Sequence, residues 1–302
     1  MKSLIRWLLS KIGSKVPSWM ITDLWPTRYV HLVPIRVEVP FPVKVDQHLT
    51  FLFDCSIDSP IVKRVYWKGS SSWEAGQQRF WATLCSRHVS VVEIGANVGF
   101  YAFPGALKCE GSYTAFEPLP YNFDCLSTGK KLNKIENLRC VQKAVVPEEQ
   151  PSETVTLVIP HQESHYAGAT GASILGSAVR RVGTTIDVEY ELIVDAIDGA
   201  DLIKIDAEGL EYELILAARQ IIEQTRPTLI IEVLRDQLSL TAYLDRFCKT
   251  NNYKMFRFSN SGLVIVDNLS LISQEKFLLE LRDFIFIPSE KIGNISDYIL
   301  RN

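Results

Sequence analysis

The chain has 302 residues, of which 47% are hydrophobic and 22% charged, and this balance is that of a globular protein with a sizeable core. Its 32 basic and 35 acidic side chains give a net charge of −3, which favours neither nucleic acid nor any other polyanion as a partner. The six cysteines include no Cys-x-x-Cys pair, so we expect reduced thiols in a cytoplasmic protein rather than a disulfide or metal framework.

Residues 1–24 are predicted to form a basic amphipathic leader helix. Apolar residues recur at helical spacing from Leu4 to Val16, and lysines and arginines occupy the other faces. Arg6 interrupts the apolar part, which argues against a secretory signal. Two roles remain open for this helix: packing against its own domain or a dimer partner, and peripheral contact with a membrane surface.

Residues 25–88 are predicted to form a β-rich and helical cap at one end of a larger domain. Five prolines separate short β-type segments at 35–39 and 49–53, and proline is excluded from central strands. Helices are expected at 61–66 and 73–85. We hypothesise that the Trp73-Glu74 segment helps to cover the active site, and packing alone would explain the tryptophans equally well.

From residue 89 onward, strand and helix patterns alternate, which is typical of a mostly parallel sheet with helices on both faces. Strands are predicted at 89–94, 112–116, 138–141, 202–205 and 228–233, with helices at 98–108, 119–132, 210–224 and 237–251. A hairpin at 254–258 and 262–266 completes a seven-stranded sheet. Two further strands, 154–159 and 186–190, flank the loop 160–183, which we expect to lie over the pocket.

The segment 89–103 contains a strand, a glycine turn and a helix start. Residues 93–99 read Glu-Ile-Gly-Ala-Asn-Val-Gly, and Asn97 stands where a dinucleotide fingerprint requires its second glycine. Glu93 places an acid beside the turn, which suits a cationic, amine-bearing ligand such as S-adenosylmethionine better than a polyphosphate. Glu117 ends the next strand, where an acid is placed to hydrogen-bond two ribose hydroxyls.

Three blocks of sequence carry a resemblance to a known family. They are residues 93–99, residues 116–122 (Phe-Glu-Pro-Leu-Pro-Tyr-Asn) and residues 203–211 (Ile-Lys-Ile-Asp-Ala-Glu-Gly-Leu-Glu). In this order and spacing the chain resembles the FkbM family of S-adenosylmethionine-dependent methyltransferases. The resemblance implies an α/β, Rossmann-like class I methyltransferase domain over 89–302, with S-adenosylmethionine as cofactor. The residues it implies for cofactor binding are Glu93, Gly95, Asn97, Gly99, Glu117 and Asn122.

A second group of acids is predicted to carry the chemistry. Asp206 follows a buried strand and Glu208 lies just beyond it, while Glu232 ends the neighbouring strand. Carboxylates at the strand ends of an open α/β sheet lie in the crevice where ligands bind. We interpret Asp206 as the acceptor-orienting residue or base, Glu208 as its assistant and Glu232 as a third catalytic candidate, with Lys204 as a counter-ion. No metal site is predicted.

These residues predict an O-methyltransferase that acts on a small natural product, a sugar or a modified peptide. A carboxyl methyltransferase acting on a peptide C-terminus is an alternative, in which Arg180 or Arg181 would anchor the acceptor. Two other classes also remain open: an NAD-dependent oxidoreductase, against which Glu93 and Asn97 argue, and a non-catalytic nucleotide-binding scaffold.

Overall fold

The computed structural model describes residues 40–53, 59–160, 172–174, 183–234, 237–259, 262–269 and 282–300. The predicted leader helix 1–24, the predicted strand 35–39 and most of the loop 160–183 lie outside these residues. None of the helices in the described part of the chain is long and apolar enough to cross a membrane.

The described part of the N-terminal region contains the predicted strand at 49–53 and both predicted helices. The elements are β1 (Phe41–Lys44), β2 (Thr50–Phe53), α1 (Pro60–Lys68), a 3-10 turn (Ser70–Ser72) and α2 (Ala75–Cys85). The two strands form an antiparallel pair of their own, separate from the main sheet. Phe51 and Phe53 are buried and pack edge-on against Phe103, with ring centroids 5.7 and 5.8 Å apart, which anchors this pair to the rest of the protein.

The chain then alternates between strands and helices, as predicted. In chain order the elements are β3 (Ser90–Ile94), α3 (Ala102–Lys108), β4 (Ser112–Phe116), α4 (Pro120–Leu132), β5 (Leu138–Val141), β6 (Ala144–Val146), β7 (Thr154–Pro160), β8 (Ser173–Ile174), β9 (Gly183–Leu192), α5 (Ile193–Ala196), β10 (Leu202–Ile205), α6 (Glu211–Ala217), α7 (Arg219–Thr225), β11 (Thr228–Glu232), α8 (Leu238–Asn251), β12 (Tyr253–Ser259), β13 (Gly262–Val266), β14 (Asp283–Pro288) and a 3-10 segment (Ser289–Tyr298). A single helix was predicted at 210–224, but the structure has two helices, α6 and α7, which are separated at Ala218.

The central sheet has the order β13-β12-β14-β11-β10-β3-β4-β5 in the described residues. Strands β5, β4, β3, β10 and β11 run parallel, and β14 runs antiparallel between β11 and β12. The α/β class and the mostly parallel sheet are therefore confirmed, but the count of seven strands was wrong because it omitted β14. The predicted hairpin β12–β13 is present, and β13 forms the sheet edge.

Strand register places ionisable side chains on one face of this sheet. Residues paired across neighbouring strands point to the same side, and Glu93 pairs with Lys204, which pairs with Ile230. Ile230 belongs to the apolar core shared with Trp81 of α2 and Phe103 of α3. This face, which α2 and α3 cover, therefore combines a buried apolar layer with a buried acid and a buried lysine.

A second sheet of four strands, β6-β9-β7-β8, extends from the end of β5. The predicted strands at 154–159 and 186–190 correspond to β7 and β9, which pair antiparallel along seven residue pairs. Leu157 and Ile174 of this sheet line the cavity described next.

Candidate cofactor and acceptor site

A cavity of about 1080 Å³ lies along the carboxyl ends of the parallel strands. This volume is at the upper end of the range for small-molecule sites, so it is large enough for two ligands side by side. The predicted residues that line it are Glu93, Gly95, Asn97, Glu117, Asn122, Asp206, Glu208 and Glu232. Gly99 is the exception among the predicted residues, since it does not line the cavity. A Cβ at Gly99 would lie 2.4 Å from the Phe103 ring, so this glycine permits packing instead.

The turn after β3 depends on Gly95. Its φ of +83° is in the left-handed region, and a Cβ there would lie 1.9 Å from the main-chain oxygen of Asp206. The amide of Asp206 donates to the carbonyl of Ile94 over 3.1 Å. Gly95 thus lets the ends of β3 and β10 approach each other at the floor of the cavity.

Glu117 joins this turn to the start of α4. Its carboxylate accepts the amide of Asn97 at 2.8 Å, the amide of Leu119 at 3.0 Å and the side-chain amide of Asn122 at 3.3 Å. Burial raises the pKa of Glu117 to about 7, although these three donors oppose the shift. A carboxylate has about four acceptor positions and three are used here, so Glu117 can still accept a hydroxyl group from the cavity.

Glu93 is held by a chain of hydrogen bonds that the sequence did not reveal. The indole N–H of Trp81 donates to the hydroxyl of Tyr113 over 3.2 Å, and that hydroxyl donates to Oε2 of Glu93 over 2.5 Å. Burial raises the pKa of Glu93 to about 7, against the lowering effects of Lys204 and Tyr113. The side chain of Trp81 in α2 therefore helps to fix an acid at the cavity floor.

Lys204 is the counter-ion of Asp206, as predicted. Its ammonium group lies 2.9 Å from Oδ2 of Asp206 and 5.1 Å from the centre of the Tyr101 ring. Burial alone would lower the pKa of Lys204, but Asp206, Asp283 and Glu93 outweigh burial and raise it. The Asp206 side chain is 32% exposed and remains accessible from the cavity.

Glu208 and Glu211 follow Asp206 in the chain and have different surroundings. Glu208 has a φ of +51° in the turn after β10 and lines the cavity. Glu211 is fully buried and accepts the amides of Ala207 and Gly209 at 2.9 and 3.1 Å. Glu211 is not among the residues that line the cavity, and it stabilises the turn that presents Glu208.

Asp283 is an acid that the sequence reasoning missed. It begins β14, and because β14 is antiparallel its first residue lies at the edge where the parallel strands end. Asp283 pairs directly with Glu232 in the register of β11 and β14, and both are buried and line the cavity. The only sequence signal for Asp283 is that it directly precedes a run of apolar residues. This pattern alone does not show where in the sheet the strand lies.

The N-terminal segment contributes residues to this part of the cavity. Trp73 and Glu74 line it, and the hydroxyl of Tyr101 donates to Oε2 of Glu74 over 2.8 Å. Burial, followed by the charge of Asp283, raises the pKa of Glu74 to about 7. Glu74, Tyr101, Asp206, Glu208, Glu232 and Asp283 form what we call the β14 side of the cavity. Glu93, Gly95, Asn97, Glu117 and Asn122 form its β4 side.

The buried acids predict a pH dependence of stability. The pKa values of Glu93 and Glu117 are about 7 in the folded protein against 4.5 ordinarily, so the folded state holds more protons between these values. This stabilisation is complete at low pH and disappears as the pH rises through about 7. His88 acts oppositely, because burial lowers its pKa. We expect the cofactor-free protein to melt several degrees lower at about pH 8 than at about pH 5.5.

Thermal unfolding of Glu93→Gln isolates the contribution of one of these acids. The variant keeps the shape of the side chain without its charge, so its melting temperature should fall less over the same pH range. An equal fall in variant and wild type would contradict the assignment of the effect to Glu93.

The β4 side fits the cofactor that the sequence suggested. Glu117 supplies a carboxylate for ribose hydroxyls, and the turn at Gly95 brings backbone amides to the cavity floor. Glu93 and Asp206 supply negative charge next to this turn, which complements a sulfonium and an ammonium group. Within the described residues, no group of three or more His, Cys, Asp or Glu side chains is arranged to hold a metal ion.

Comparison with known proteins gives one family match. Residues 93–255, more than half of the chain, match the model of the methyltransferase FkbM domain. No curated protein sequence matches the chain.

Several solved structures resemble the chain at low sequence identity. A methyltransferase FkbM from Methylobacillus flagellatus KT is 16% identical over 74% of this chain and 54% of its own length, with a TM-score of 0.41, so the chain spans about half of that protein. An O-methyltransferase from Bacillus cereus in complex with SAH is 11% identical over 70% and 79% of the two chains, with a TM-score of 0.40. TYW2 from M. jannaschii in complex with AdoMet is 13% identical over 84% and 87%, with a TM-score of 0.38.

The matched region includes all three sequence blocks, the turn at Gly95 and most of the cavity acids, whereas Glu74 and Asp283 lie outside it. The α/β fold agrees with this match, and methyltransferases of this family use S-adenosylmethionine as cofactor. The chain therefore belongs to the FkbM family of S-adenosylmethionine-dependent methyltransferases.

Proposed function

We propose that this chain is an O-methyltransferase that transfers a methyl group to a hydroxyl oxygen of a small natural product, a sugar or a modified peptide. The observation that carries the proposal is the position of Asp206, whose carboxylate is accessible from the cavity on the β14 side while Lys204 holds its other oxygen at 2.9 Å. A hydroxyl is a poor nucleophile at neutral pH, so its methylation requires a base at this position.

The cofactor is assigned to the β4 side. Glu117 and Asn122 would hold the ribose, the turn containing Gly95 and Asn97 would support the amino-acid end, and Glu93 would face its positive charge. Because Gly99 has no Cβ, the Phe103 ring can pack closely against this turn. When bound, S-adenosylmethionine supplies a methyl group on a positively charged sulfur.

The catalytic roles are assigned to the acids of the β14 side. Lys204 holds Oδ2 of Asp206, which leaves Oδ1 to accept the proton of the acceptor hydroxyl. Glu208 follows in the same turn and orients the acceptor. Burial, followed by the charges of Asp206 and Glu208, raises the pKa of Glu232 well above its usual range, and we assign Glu232 a role in acceptor binding rather than as the base.

The carboxyl methyltransferase alternative has less support from the geometry. A carboxylate acceptor is already ionised and needs no base, and an anionic acceptor would approach several acids on the β14 side. The anchors considered for it, Arg180 and Arg181, lie outside the described residues. Membership of a methyltransferase family favours methyl transfer over the oxidoreductase and scaffold alternatives.

The partners and the location of the protein are part of the same proposal. We assign a small-molecule or peptide acceptor, no nucleic acid and a cytoplasmic location. The leader helix 1–24 is assigned a peripheral membrane or dimer contact.

The test is to incubate the protein with S-adenosylmethionine carrying a labelled methyl group and with extracts or candidate acceptors, and to identify labelled products by mass spectrometry. We expect the label on oxygen in a product that resists mild alkali, because ethers are stable to base and methyl esters are not. A base-labile product would instead support the carboxyl alternative, and label on nitrogen or carbon would contradict O-methylation.

A further inference from the structure

The carboxyl groups of Glu232 and Asp283 form a pair in the cavity. The proposed function does not say which group of the acceptor this pair binds. The two residues are directly opposite each other on β11 and β14, and antiparallel pairs have their Cβ atoms about 5 Å apart. Both side chains are buried, with 8% and 9% of their surface exposed, and both line the cavity. Their carboxyl groups are therefore close enough to contact one ligand group together.

This pair accepts one hydrogen bond among the described residues, which Arg282 donates to Glu232. Oε2 of Glu232 is buried without a hydrogen-bond partner, while Oε1 lies 3.5 Å from Nη1 of Arg282. No hydrogen bond among the described residues reaches the carboxyl group of Asp283. Buried polar atoms are almost always paired, so an unpaired carboxyl oxygen in a residue that lines a cavity indicates a missing donor.

The nearby charges indicate that this donor is a cation. Lys204 is bonded to Asp206, and the side chain of Arg282 is 39% exposed. Glu74 is a third acid of the same cavity, and its carboxyl group interacts with the charge of Asp283. Burial raises the pKa of Asp283 to about 6 against the lowering effects of Lys204 and Arg282, and the charge of Asp206 acts in the same direction as burial. A cation bound here would therefore gain from the excess of acids.

The position of the pair separates it from the cofactor. Strands in a sheet are about 4.8 Å apart, so β14 lies roughly 14 Å from β3, where the glycine turn begins. Aromatic side chains also lie near the pair. Arg257 of β12 pairs with Phe284 of β14, and because these strands are antiparallel, the next residue of β12, Phe258, lies beside Asp283. Phe258 and Tyr101 line the same cavity, and aromatic rings bind organic cations favourably.

We propose that Glu232 and Asp283 bind an ammonium group of the acceptor, so that the acceptor is an amino alcohol such as an amino sugar. Its ammonium group lies between the two carboxyl groups and its reactive hydroxyl lies at Asp206. Strands β11 and β14 are the first and second neighbours of β10 on this side, so the centre of the pair lies one and a half strand spacings, or about 7 Å, from β10. One sugar ring can span this distance. This inference rests on the proposed function, because it assigns the acceptor for the same site.

The test uses protein saturated with S-adenosylhomocysteine and measures binding of D-glucosamine, with N-acetyl-D-glucosamine and D-glucose as uncharged controls. Titration by calorimetry or ligand-observed NMR should show glucosamine binding at least about tenfold tighter than either control. Asp283→Asn and Glu232→Gln should each remove most of this preference. Glu149→Gln, which changes an exposed acid outside the cavity, should retain it.

Binding of S-adenosylhomocysteine by each variant shows that it is folded and separates the two proposals. Equal binding of glucosamine and N-acetylglucosamine would overturn the ammonium site, as would the absence of glucosamine binding in protein that binds S-adenosylhomocysteine normally. A preference that persists in Asp283→Asn and Glu232→Gln would overturn the assignment to this pair. Failure of the wild type to bind S-adenosylhomocysteine would overturn both proposals.

Discussion

Asp206→Asn is expected to lower the rate of methyl transfer about 10³-fold, while the affinity for S-adenosylmethionine stays within about threefold of the wild type. The amide cannot take the proton of an acceptor hydroxyl, but it has nearly the same shape as the carboxylate. Lys204 loses the negative charge of its partner at 2.9 Å in this variant and keeps the charges of Glu93 and Asp283 nearby. The measurement is kcat with a labelled methyl donor, together with a calorimetric titration of the cofactor.

Glu208→Gln is the matched control for this prediction. Glu208 lies two residues further along the same turn and also lines the cavity, but it is assigned orientation rather than proton transfer. Its loss should lower the rate about tenfold. Full turnover by Asp206→Asn would remove Asp206 as the base and would favour an acceptor that is already ionised.

Gly95→Ala is expected to destabilise the protein by several kcal/mol and to abolish cofactor binding. The added Cβ would lie 1.9 Å from the main-chain oxygen of Asp206, so the ends of β3 and β10 would have to separate. The φ of +83° adds a cost of about 1 kcal/mol for any residue with a Cβ. Thermal unfolding and calorimetry with S-adenosylmethionine measure the two effects.

Gly76→Ala is a suitable control, because a Cβ at Gly76 in α2 would have no atom within 4 Å. Alanine is a better helix former than glycine by about 1 kcal/mol, so this variant should be as stable as the wild type or slightly more stable. Normal stability and normal cofactor affinity in Gly95→Ala would show that the β3 turn does not have the geometry described here.

The β4 side of the cavity could be predicted because its residues lie in short blocks of sequence. Glu93 lies near the end of one apolar strand, Glu117 directly follows the next, and Gly95 follows Glu93 by two residues, so strand pattern and turn chemistry were sufficient to place them. Asp206 and Glu232 were found by the same reasoning, since parallel strands end at one edge of a sheet.

The residues that were missed reach the site through space rather than through a local pattern. Asp283 belongs to a strand that inserts between β11 and β12, although it follows both in sequence. A short apolar run does not reveal such a position, because buried strands and buried helix segments look alike. Tyr113 and Trp81 were missed for a different reason: their positions read as core, and the hydrogen bonds to Glu93 depend on the packing of α2 on the sheet.

We propose that the anionic strand ends bind a positively charged methyl donor next to an acceptor oxygen. A crystal structure of the complex with S-adenosylhomocysteine would show whether they do. The ribose hydroxyls are expected on Glu117, the amino-acid end over the Gly95 turn and the sulfur directed toward Asp206. A ligand bound elsewhere, or a cavity at these strand ends filled by side chains, would contradict it.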